Sequence, residues 1–172
     1  MSRFLFRLAM ILCVILVYQL SMITCPCAGS GQKADKVLIE KGKRRLTLFR
    51  NNKIIKTYTV SLGRNPEGKK IRQGDARTPE GKYTIDSRNS SSRFYKALHI
   101  SYPSREDRER ARSRNASPGG DIMIHGMKNG LGWLGGLHRF IDWTQGCIAV
   151  TNDEMDEIWE LVPTGTPVEI VP

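Results

Sequence analysis

The residues Arg45-Leu46-Thr47-Leu48-Phe49, the pair Asn51-Asn52 and the run from Lys53 to Leu62 decide the fold class of this chain. Polar and apolar side chains alternate in the first stretch, which is the period of a half-buried β-strand. The run after the asparagines is rich in Ile, Thr, Tyr and Val, residues that favour strands. Asparagine tolerates the left-handed conformations of tight turns. Together the three stretches predict a β-hairpin.

The strand pattern extends to both sides of this hairpin. Val37-Leu38-Ile39-Glu40 precedes it as another strand candidate. Gly74 to Gly81, which ends in Thr78-Pro79-Glu80-Gly81, is a loop that leads into a strand at Lys82-Tyr83-Thr84-Ile85. We therefore expect the first half of the chain to form antiparallel β-sheet.

The second half mixes strands with a helix. Ser90-Ser91-Ser92-Arg93 predicts a loop, and Tyr95 to Ser101 predicts a strand. The densely charged stretch from Ser104 to Arg114 predicts a short solvated helix, because Ser104 and Asp107 have the spacing of a capping pair. Ile122-Met123-Ile124 predicts a buried strand that delivers His125 at its end.

The C-terminal part contains a long loop, a helix and a closing strand. Gly126 to Trp143 is rich in glycine and aromatic residues and predicts a structured loop. Thr151-Asn152-Asp153-Glu154 is a capping box, and it opens a helix that Pro163 ends. Val168 to Val171 predicts a strand. We expect a mainly β fold with one or two short helices.

Residues 1–28 have the composition of an export segment. Arg3 and Arg7 precede an apolar run from Leu8 to Leu20, as in the n- and h-regions of a secretory signal. Lipid attachment at Cys25 and an uncleaved membrane anchor stay open as alternatives. Each of the three directs the rest of the chain out of the cytoplasm, to the periplasm or the cell envelope.

The remaining residues are enough for one domain. We expect 29–35 to be a short tether and 36–172 to be the domain. Without residues 1–28 the formal charge falls from +10 to +8. Every remaining Lys and Arg lies at or before Arg139, whereas Ile148 to Pro172 holds six acids and no base. This distribution indicates either a basic face for an anionic polymer or membrane surface, or ordinary solvated charge. Nucleic acid is not an expected partner, because no aromatic-basic motif is present.

Cys147 is the candidate nucleophile. The other cysteines, Cys13, Cys25 and Cys27, lie in or just after the apolar N-terminal run, so the mature domain would keep a single thiol. A disulfide-stapled domain would keep an even number of cysteines. A glycine before Cys147 and a histidine upstream are typical of a thiol nucleophile, and a small buried core residue is the alternative.

A thiol nucleophile needs a base, because a free thiol titrates near about 8.5. His125 is the first candidate, since it ends an apolar strand and precedes a glycine. His138 is the second candidate, and His99 lies within a predicted strand, where a structural role is expected. Gly146 would let its own amide and that of Cys147 point at a substrate oxygen as an oxyanion hole.

The order of these residues excludes several alternatives. Papain-like enzymes place the cysteine before the histidine, and sortases need an arginine after the cysteine, which this chain lacks. A zinc site built from the three histidines and Cys147 would match no compact metal motif. We therefore expect no metal and no cofactor.

Several motifs together resemble the L,D-transpeptidase (YkuD-type) catalytic domain, and most closely its Gram-negative YafK/ErfK-like branch. They cover most of the mature chain: His125-Gly126, the loop with Asp142-Trp143-Thr144, Thr144-Gln145-Gly146-Cys147-Ile148, Cys147 to Asn152, Gly74 to Tyr83, and Gly165-Thr166-Pro167-Val168. The resemblance implies a β-sandwich or barrel and a peptidoglycan substrate.

The resemblance also implies a mechanism and its residues. Cys147 would attack the diaminopimelate carbonyl of a tetrapeptide stem, release D-Ala and pass the acyl group to an amine. His125 would be the base, oriented by the Gly126 carbonyl. Thr144 would line the site together with Gln145, Trp143 and His138. Carbapenems would acylate Cys147.

Two departures from the family pattern concern the neighbours of the cysteine. Gln145 stands where many members have histidine, and Ala149 where many have arginine or asparagine. The second departure bears on how a substrate carboxylate is held. Two alternatives therefore stay open: a peptidoglycan amidase or hydrolase that cuts an existing linkage, and a non-catalytic module that binds the wall.

Overall fold

The computed structural model describes residues 33–172. The predicted signal or anchor at residues 1–28 lies outside the described residues, and so does most of the predicted tether. Within 33–172, no helix has both the length and the apolar character needed to cross a bilayer.

The described residues form eight strands, two α-helices and one 3₁₀ segment. The strands are β1 (Lys36–Glu40), β2 (Arg45–Arg50), β3 (Lys53–Thr59), β4 (Gly81–Ser92), β5 (Tyr95–Ile100), β6 (Met123–His125), β7 (Ile148–Ala149) and β8 (Pro167–Val171). The helices are α1 (Arg105–Arg112) and α2 (Asn152–Leu161), and the 3₁₀ segment is Gly132–Phe140. The expected mainly β fold with few short helices is confirmed.

The strands form one sheet in the order β3-β2-β1-β8-β4-β5-β6-β7. The β1–β8 and β6–β7 pairs are parallel, and the other pairs are antiparallel. Beyond β3, Ser61 forms a bridge to Ala149 in β7, and Gly63 forms a bridge to Thr144. The chain that leaves one edge strand therefore pairs with the other edge, which closes the sheet in the manner of a barrel.

The predicted hairpin is present, and its second strand is shorter than expected. Asn51 and Asn52 have φ values of 49° and 59°, the left-handed conformation that the turn requires. β3 ends at Thr59 and not at Leu62. The reason is a change of partner, because the Ser61 amide donates to the carbonyl of Ala149 in β7.

Two further predicted boundaries are wrong. The predicted loop Ser90–Arg93 is mostly strand, since β4 continues to Ser92 and pairs there with Tyr95. Its polar side chains are largely exposed, so backbone pairing with β5, and not apolar burial, holds this end of β4. The strand predicted at Ile122–Ile124 is shifted by one residue and includes His125.

Both predicted capping boxes are confirmed. Ser104 and Asp107 exchange their side-chain to backbone bonds at the start of α1, and Thr151 and Glu154 do the same for α2. The apolar face of α2 packs against β5 and is buried in the core. The predicted loop from Gly126 to Trp143 contains the 3₁₀ segment.

Two buried ion pairs hold the long loop between β3 and β4: one ties it to the turn after β1, and the other lies within the loop. Lys41 pairs with Glu80 at 2.8 Å, and its Nζ also donates to the Gly68 and Thr78 carbonyls. Lys70 pairs with Asp75 at 2.7 Å. Buried charges are tolerated when paired and hydrogen-bonded in this way. The loop therefore has a defined course past the residues around Cys147.

Candidate active site

Cys147 and His125 line the same cavity of about 680 Å³. Their approach follows from sheet register, because β6 and β7 are parallel and place His125 opposite Ala149. Cys147 directly precedes β7, so the nucleophile and the histidine come from neighbouring strands of one sheet. Twelve residues line the cavity: Asn89, Ser91, Ser92, Arg93, Phe94, Asp121, Met123, His125, Trp143, Thr144, Gln145 and Cys147.

A single hydrogen bond sets the tautomer of His125. Its Nδ1 lies 2.6 Å from the Gly126 carbonyl oxygen. A carbonyl oxygen only accepts, so Nδ1 carries the hydrogen and donates it. In the neutral ring the other nitrogen, Nε2, then holds a lone pair and can accept a proton.

Aromatic rings enclose the imidazole of His125. Phe94 lies 4.6 Å from it between ring centroids, and Trp143 lies 5.9 Å away in an edge-on arrangement. His125 is buried, with 3% of its surface exposed. Burial lowers the pKa of His125 to about 4, which the bond to Gly126 opposes and the neighbouring His138 reinforces. The ring is therefore neutral at pH 7.

The thiol of Cys147 is partly exposed in the cavity. Its Sγ lies 3.4 Å from the Asp121 carbonyl oxygen, to which it donates. Burial raises the pKa of Cys147, a hydrogen bond from the Met123 amide lowers it in part, and the charge of Asp121 raises it further. The resting site therefore holds a neutral thiol beside a neutral imidazole, and not a preformed ion pair.

Thr144 ties together the turn that carries Cys147. Its Oγ1 donates to the Cys147 carbonyl at 2.8 Å and accepts from the Gly146 amide at 3.0 Å. This second bond corrects one sequence-based expectation. The Gly146 amide is already engaged, so it is not free to donate to a substrate oxygen in this structure.

Gly146 is required for a different reason than predicted. Its φ is +129°, and a methyl group at this position would lie 2.6 Å from the Arg77 carbonyl oxygen. Real side chains do not approach a backbone oxygen that closely. Gly146 therefore lets the loop before β4 pass directly against the turn that presents Cys147.

The three histidines do not converge. His138 lies outside the residues that line the cavity, and its Nδ1 forms a 2.9 Å bond with Ser61 Oγ. This bond holds the 3₁₀ segment against the chain after β3, and the predicted contact of His138 with substrate stays a prediction. His99 pairs with Asp86 at 2.6 Å on the sheet surface, which agrees with the expected structural role.

The other predicted substrate-binding residues do line the cavity. Gln145 is exposed at its edge, and Trp143 contributes its ring. The Trp143 Nε1 is buried and meets no acceptor among the described residues. Ala149 is fully buried, so the position where many family members carry a polar residue does not reach the cavity.

The β4–β5 hairpin builds a wall of the cavity that the sequence did not predict. Arg93 and Phe94 at its tip line the cavity, and Arg93 is the only Lys or Arg among its lining residues. Asn129 fixes this tip, because its side chain accepts from the Tyr95 amide and donates to the Ser92 carbonyl. No motif marks these residues, since they reach the cavity through strand pairing alone.

No cluster of three or more His, Cys, Asp or Glu side chains that could hold a metal ion occurs within residues 33–172. The arrangement that is present suits covalent chemistry. A thiol, an imidazole with an accepting nitrogen and a fixed turn lie around one open cavity.

Known proteins share the sequence pattern of this chain. The family model of the L,D-transpeptidase catalytic domain (YkuD) matches residues 34–170. The chain is 31% identical over 133 residues to YafK of Escherichia coli K12, and the match covers 73% of this chain and 46% of that protein. The chain thus spans about half the length of the curated relatives it matches.

Solved structures share the fold. The helical cell shape determining protein Pgp2 of Campylobacter jejuni superposes with a TM-score of 0.60 at 22% identity, covering 83% of this chain and 51% of that chain. The LD transpeptidase LdtMt1 in complex with imipenem superposes with a TM-score of 0.51 at 17% identity, covering 79% and 58%.

Proposed function

The chain belongs to the L,D-transpeptidase catalytic domain family, and from that membership we propose that it is a peptidoglycan L,D-transpeptidase with Cys147 as nucleophile. The observation that carries the proposal is the shared cavity of Cys147 and His125, together with the bond that leaves His125 Nε2 as a proton acceptor. Peptidoglycan lies outside the cytoplasmic membrane, so the proposal requires the export predicted from residues 1–28.

The first half-reaction forms a thioester. His125 Nε2 takes the thiol proton as Cys147 Sγ attacks the diaminopimelate carbonyl carbon of a tetrapeptide stem. The amide bond to D-Ala then breaks, and the imidazolium returns the proton to the departing amine. The Gly126 carbonyl supports this step, because it accepts from Nδ1 and becomes a stronger partner when the ring is protonated.

The second half-reaction releases the enzyme. An acceptor amine attacks the thioester carbonyl and gives its proton to His125 Nε2. The new amide forms as the bond to Sγ breaks, and the thiolate recovers the proton from the imidazolium. The tetrahedral intermediates carry a negative oxygen. With the Gly146 amide engaged by Thr144, the Cys147 amide is the donor that we assign to this oxygen.

Arg93 is the group that we assign to the carboxylate of the terminal D-Ala. This carboxylate lies one residue beyond the bond that is cut, so it must sit within the catalytic cavity. Arg93 lines that cavity, and guanidinium groups bind carboxylates through paired hydrogen bonds. Arg93 would take the role of the polar residue that many family members carry at the position of Ala149. Ala149 is buried and apolar, so it cannot bind a carboxylate.

Intact-mass measurement of the protein with a carbapenem tests the nucleophile. We expect one covalent adduct per chain, and none with the Cys147→Ala variant. An unchanged mass would contradict the proposal and favour a non-catalytic module that binds the wall.

Analysis of muropeptide products tests the reaction class. Incubation with a tetrapeptide donor and an acceptor stem should yield D-Ala and a new cross-linked product. Release of free stems without any cross-link would overturn the transferase assignment and identify a hydrolase or amidase at the same site.

A further inference from the structure

Three arginines line a second cavity of about 480 Å³ near the catalytic one. They are Arg72, Arg77 and Arg114. Within residues 33–172, none of these guanidinium groups forms an ion pair. Arg72 and Arg114 are exposed and Arg77 is half-buried, so solvent screens their repulsion, and an anion bound between them would meet three positive charges.

The acid in this cavity does not neutralise the arginines. Asp75 accepts from Lys70 Nζ at 2.7 Å, and it also accepts from three backbone amides, those of Ile71, Arg72 and Arg77. Burial works against ionisation, but these four donors outweigh it and lower the pKa of Asp75 to about 2. Its charge is matched by Lys70, and the cavity keeps the charge of its arginines.

Most of the guanidinium donors are unused. Arg77 makes one side-chain bond, to the Lys69 carbonyl at 3.3 Å, and Arg114 makes one weak bond, to the Arg110 carbonyl at 3.4 Å. Each guanidinium has five N–H donors in a planar fork, which matches the two oxygens of a carboxylate.

The two walls of the cavity are held together. The Gln73 amide donates to the Ser117 carbonyl at 2.8 Å, which joins the loop of Arg72 and Arg77 to the segment of Arg114. The Tyr102 hydroxyl donates to the Pro118 carbonyl at 2.9 Å and fixes that segment from below. The cavity is therefore formed before any ligand arrives.

Both walls of the arginine cavity are connected along the chain to residues that contact Cys147 or its neighbour Gly146. The Arg77 carbonyl lies against Gly146, the residue before the nucleophile. On the other wall, Ala116 lines the arginine cavity, and Asp121 accepts the Cys147 thiol. These two residues are five positions apart, so at most about 18 Å of chain separates them. An extended tetrapeptide spans about 13 Å, which is a length of the same order.

We propose that this arginine cavity is a second carboxylate site, which holds a free carboxylate of the peptidoglycan peptide acted on at Cys147. The inference rests on the proposed function. This carboxylate is remote from the bond that is cut. The cavity around Cys147 is lined by Arg93 and by none of the three arginines of the second cavity. The peptide is the donor stem or the acceptor stem, which supply the same chemistry.

Binding of a soluble tetrapeptide stem to protein carrying Cys147→Ala tests the site directly by calorimetry. The double substitution Arg72→Gln and Arg114→Gln should weaken binding at least tenfold. The matched control is Arg108→Gln with Arg112→Gln, which removes the same charge from exposed positions on α1 outside the cavity. The control should change affinity less than twofold, and thermal unfolding verifies that both variants fold.

A peptide that is amidated at its carboxylates other than that of the terminal D-Ala, which is assigned to Arg93, completes the cycle. It should bind the unsubstituted cavity about tenfold more weakly, with no further loss on removing the two arginines. Equal weakening of peptide binding in the cavity variant and the control variant would overturn the proposal. An equal loss of affinity for the amidated and the free-acid peptide, on removing the two arginines, would also overturn it. So would loss of inorganic phosphate binding with unchanged peptide affinity, which would identify a phosphate site.

Kinetics with Cys147 intact separate donor from acceptor. If the cavity holds the donor, the arginine variant should raise the KM for D-Ala release. If it holds the acceptor, that KM should be unchanged, and hydrolysis of the thioester should increase at the expense of cross-linking. No change in either would contradict the site. The carbapenem adduct tests the proposed function separately. Peptide binding that depends on the arginines, without a carbapenem adduct, would contradict the proposed function and still support the carboxylate site.

Discussion

The Nδ1 of His125 donates a 2.6 Å hydrogen bond to the carbonyl oxygen of Gly126. The bond joins two consecutive residues, so the end of one short strand both positions the imidazole and sets its tautomer. Because the ring is also enclosed by aromatic side chains, it stays neutral and presents a lone pair on Nε2.

The rate of acylation by a carbapenem should be nearly constant between pH 5.5 and pH 8. The reactive pair holds one proton in total over this range, since the pKa of His125 is about 4 and burial raises that of Cys147 above its usual range. The rate should fall only as the pH approaches 4, where His125 becomes protonated. Stopped-flow measurement would show this, and a midpoint near 6.5 would contradict it.

Replacing His125 by alanine should lower the acylation rate by about 10²- to 10⁴-fold at neutral pH. The remaining reaction then depends on the small thiolate fraction, so its rate should rise about tenfold per pH unit. The same stopped-flow assay over the same pH range provides the measurement. A variant with the flat profile of the parent would show that another group is the base.

Stability should decrease on acidification from pH 6.5 to pH 4. The pKa of His125 is lower in the folded chain than in the unfolded chain, so the unfolded state binds the extra proton in this interval. Stability should therefore be complete above pH 6.5, and about 3 kcal/mol should be lost by pH 4. Urea unfolding measures this loss.

The His125→Asn variant is the control for that measurement, because its side chain does not titrate. It should lose less stability than the parent over the same interval, and the difference isolates His125 from other groups such as His138. Parallel pH profiles of the two proteins would refute the assignment.

The Gly146→Ala variant should be destabilised by about 2 kcal/mol or more, because it combines a disfavoured φ with a backbone clash. It should also lose reactivity at Cys147, since the turn must shift. Gly120→Ala is the matched control, with nothing within 4 Å of the added methyl group and an ordinary φ. Urea unfolding should show less than about 0.5 kcal/mol of change for the control.

Removing the Thr144 hydroxyl should disorder the turn around Cys147. Thr144→Val loses two buried hydrogen bonds at nearly constant shape, with an expected destabilisation of about 1–3 kcal/mol and slower acylation. Thr144→Ser keeps the hydroxyl and should restore the acylation rate. Equal behaviour of the two variants would show that the hydroxyl does not support the turn.

Arg93→Gln should raise the KM for a tetrapeptide donor about tenfold and leave alkylation of Cys147 by a small uncharged reagent unaffected, because only the carboxylate contact is lost. The exposed Arg108→Gln variant controls for net charge. A donor whose terminal carboxylate is amidated should be insensitive to the Arg93 substitution. Unchanged KM for the free-acid donor would remove Arg93 from the site.

Local signals in the chain predicted the local structure well. The alternation before Asn51 predicted the hairpin, and the capping boxes at Ser104 and Thr151 predicted both helix starts, because each depends on residues within one turn of chain. The end of β3 and the continuation of β4 to Ser92 were not predictable in this way. The end of β3 depends on Ala149, a partner remote in sequence. The continuation of β4 depends on backbone pairing with β5, which the polar residues at its end do not signal.

The candidate site divides similarly. The pairing of Cys147 with His125 was predicted from residue type and order, and the structure places both in one cavity. The position of His138 was not predicted, because its bond to Ser61 places it outside the lining of that cavity. The availability of the Gly146 amide was also beyond the sequence, since one hydroxyl of Thr144 occupies it.

The sequence by itself determined the mainly β fold and the helix starts, because these follow from short-range periodicity. It also predicted Cys147 and His125 as a reactive pair, because few residue types can perform this chemistry. Only the tertiary structure decided which polar groups are hydrogen-bonded within the chain and which remain available to a ligand. The side chains of Arg72, Arg77 and Arg114 meet around one cavity because Asp75 folds one loop and Gln73 joins it to another. Such convergence depends on contacts between distant segments, and no local pattern encodes it.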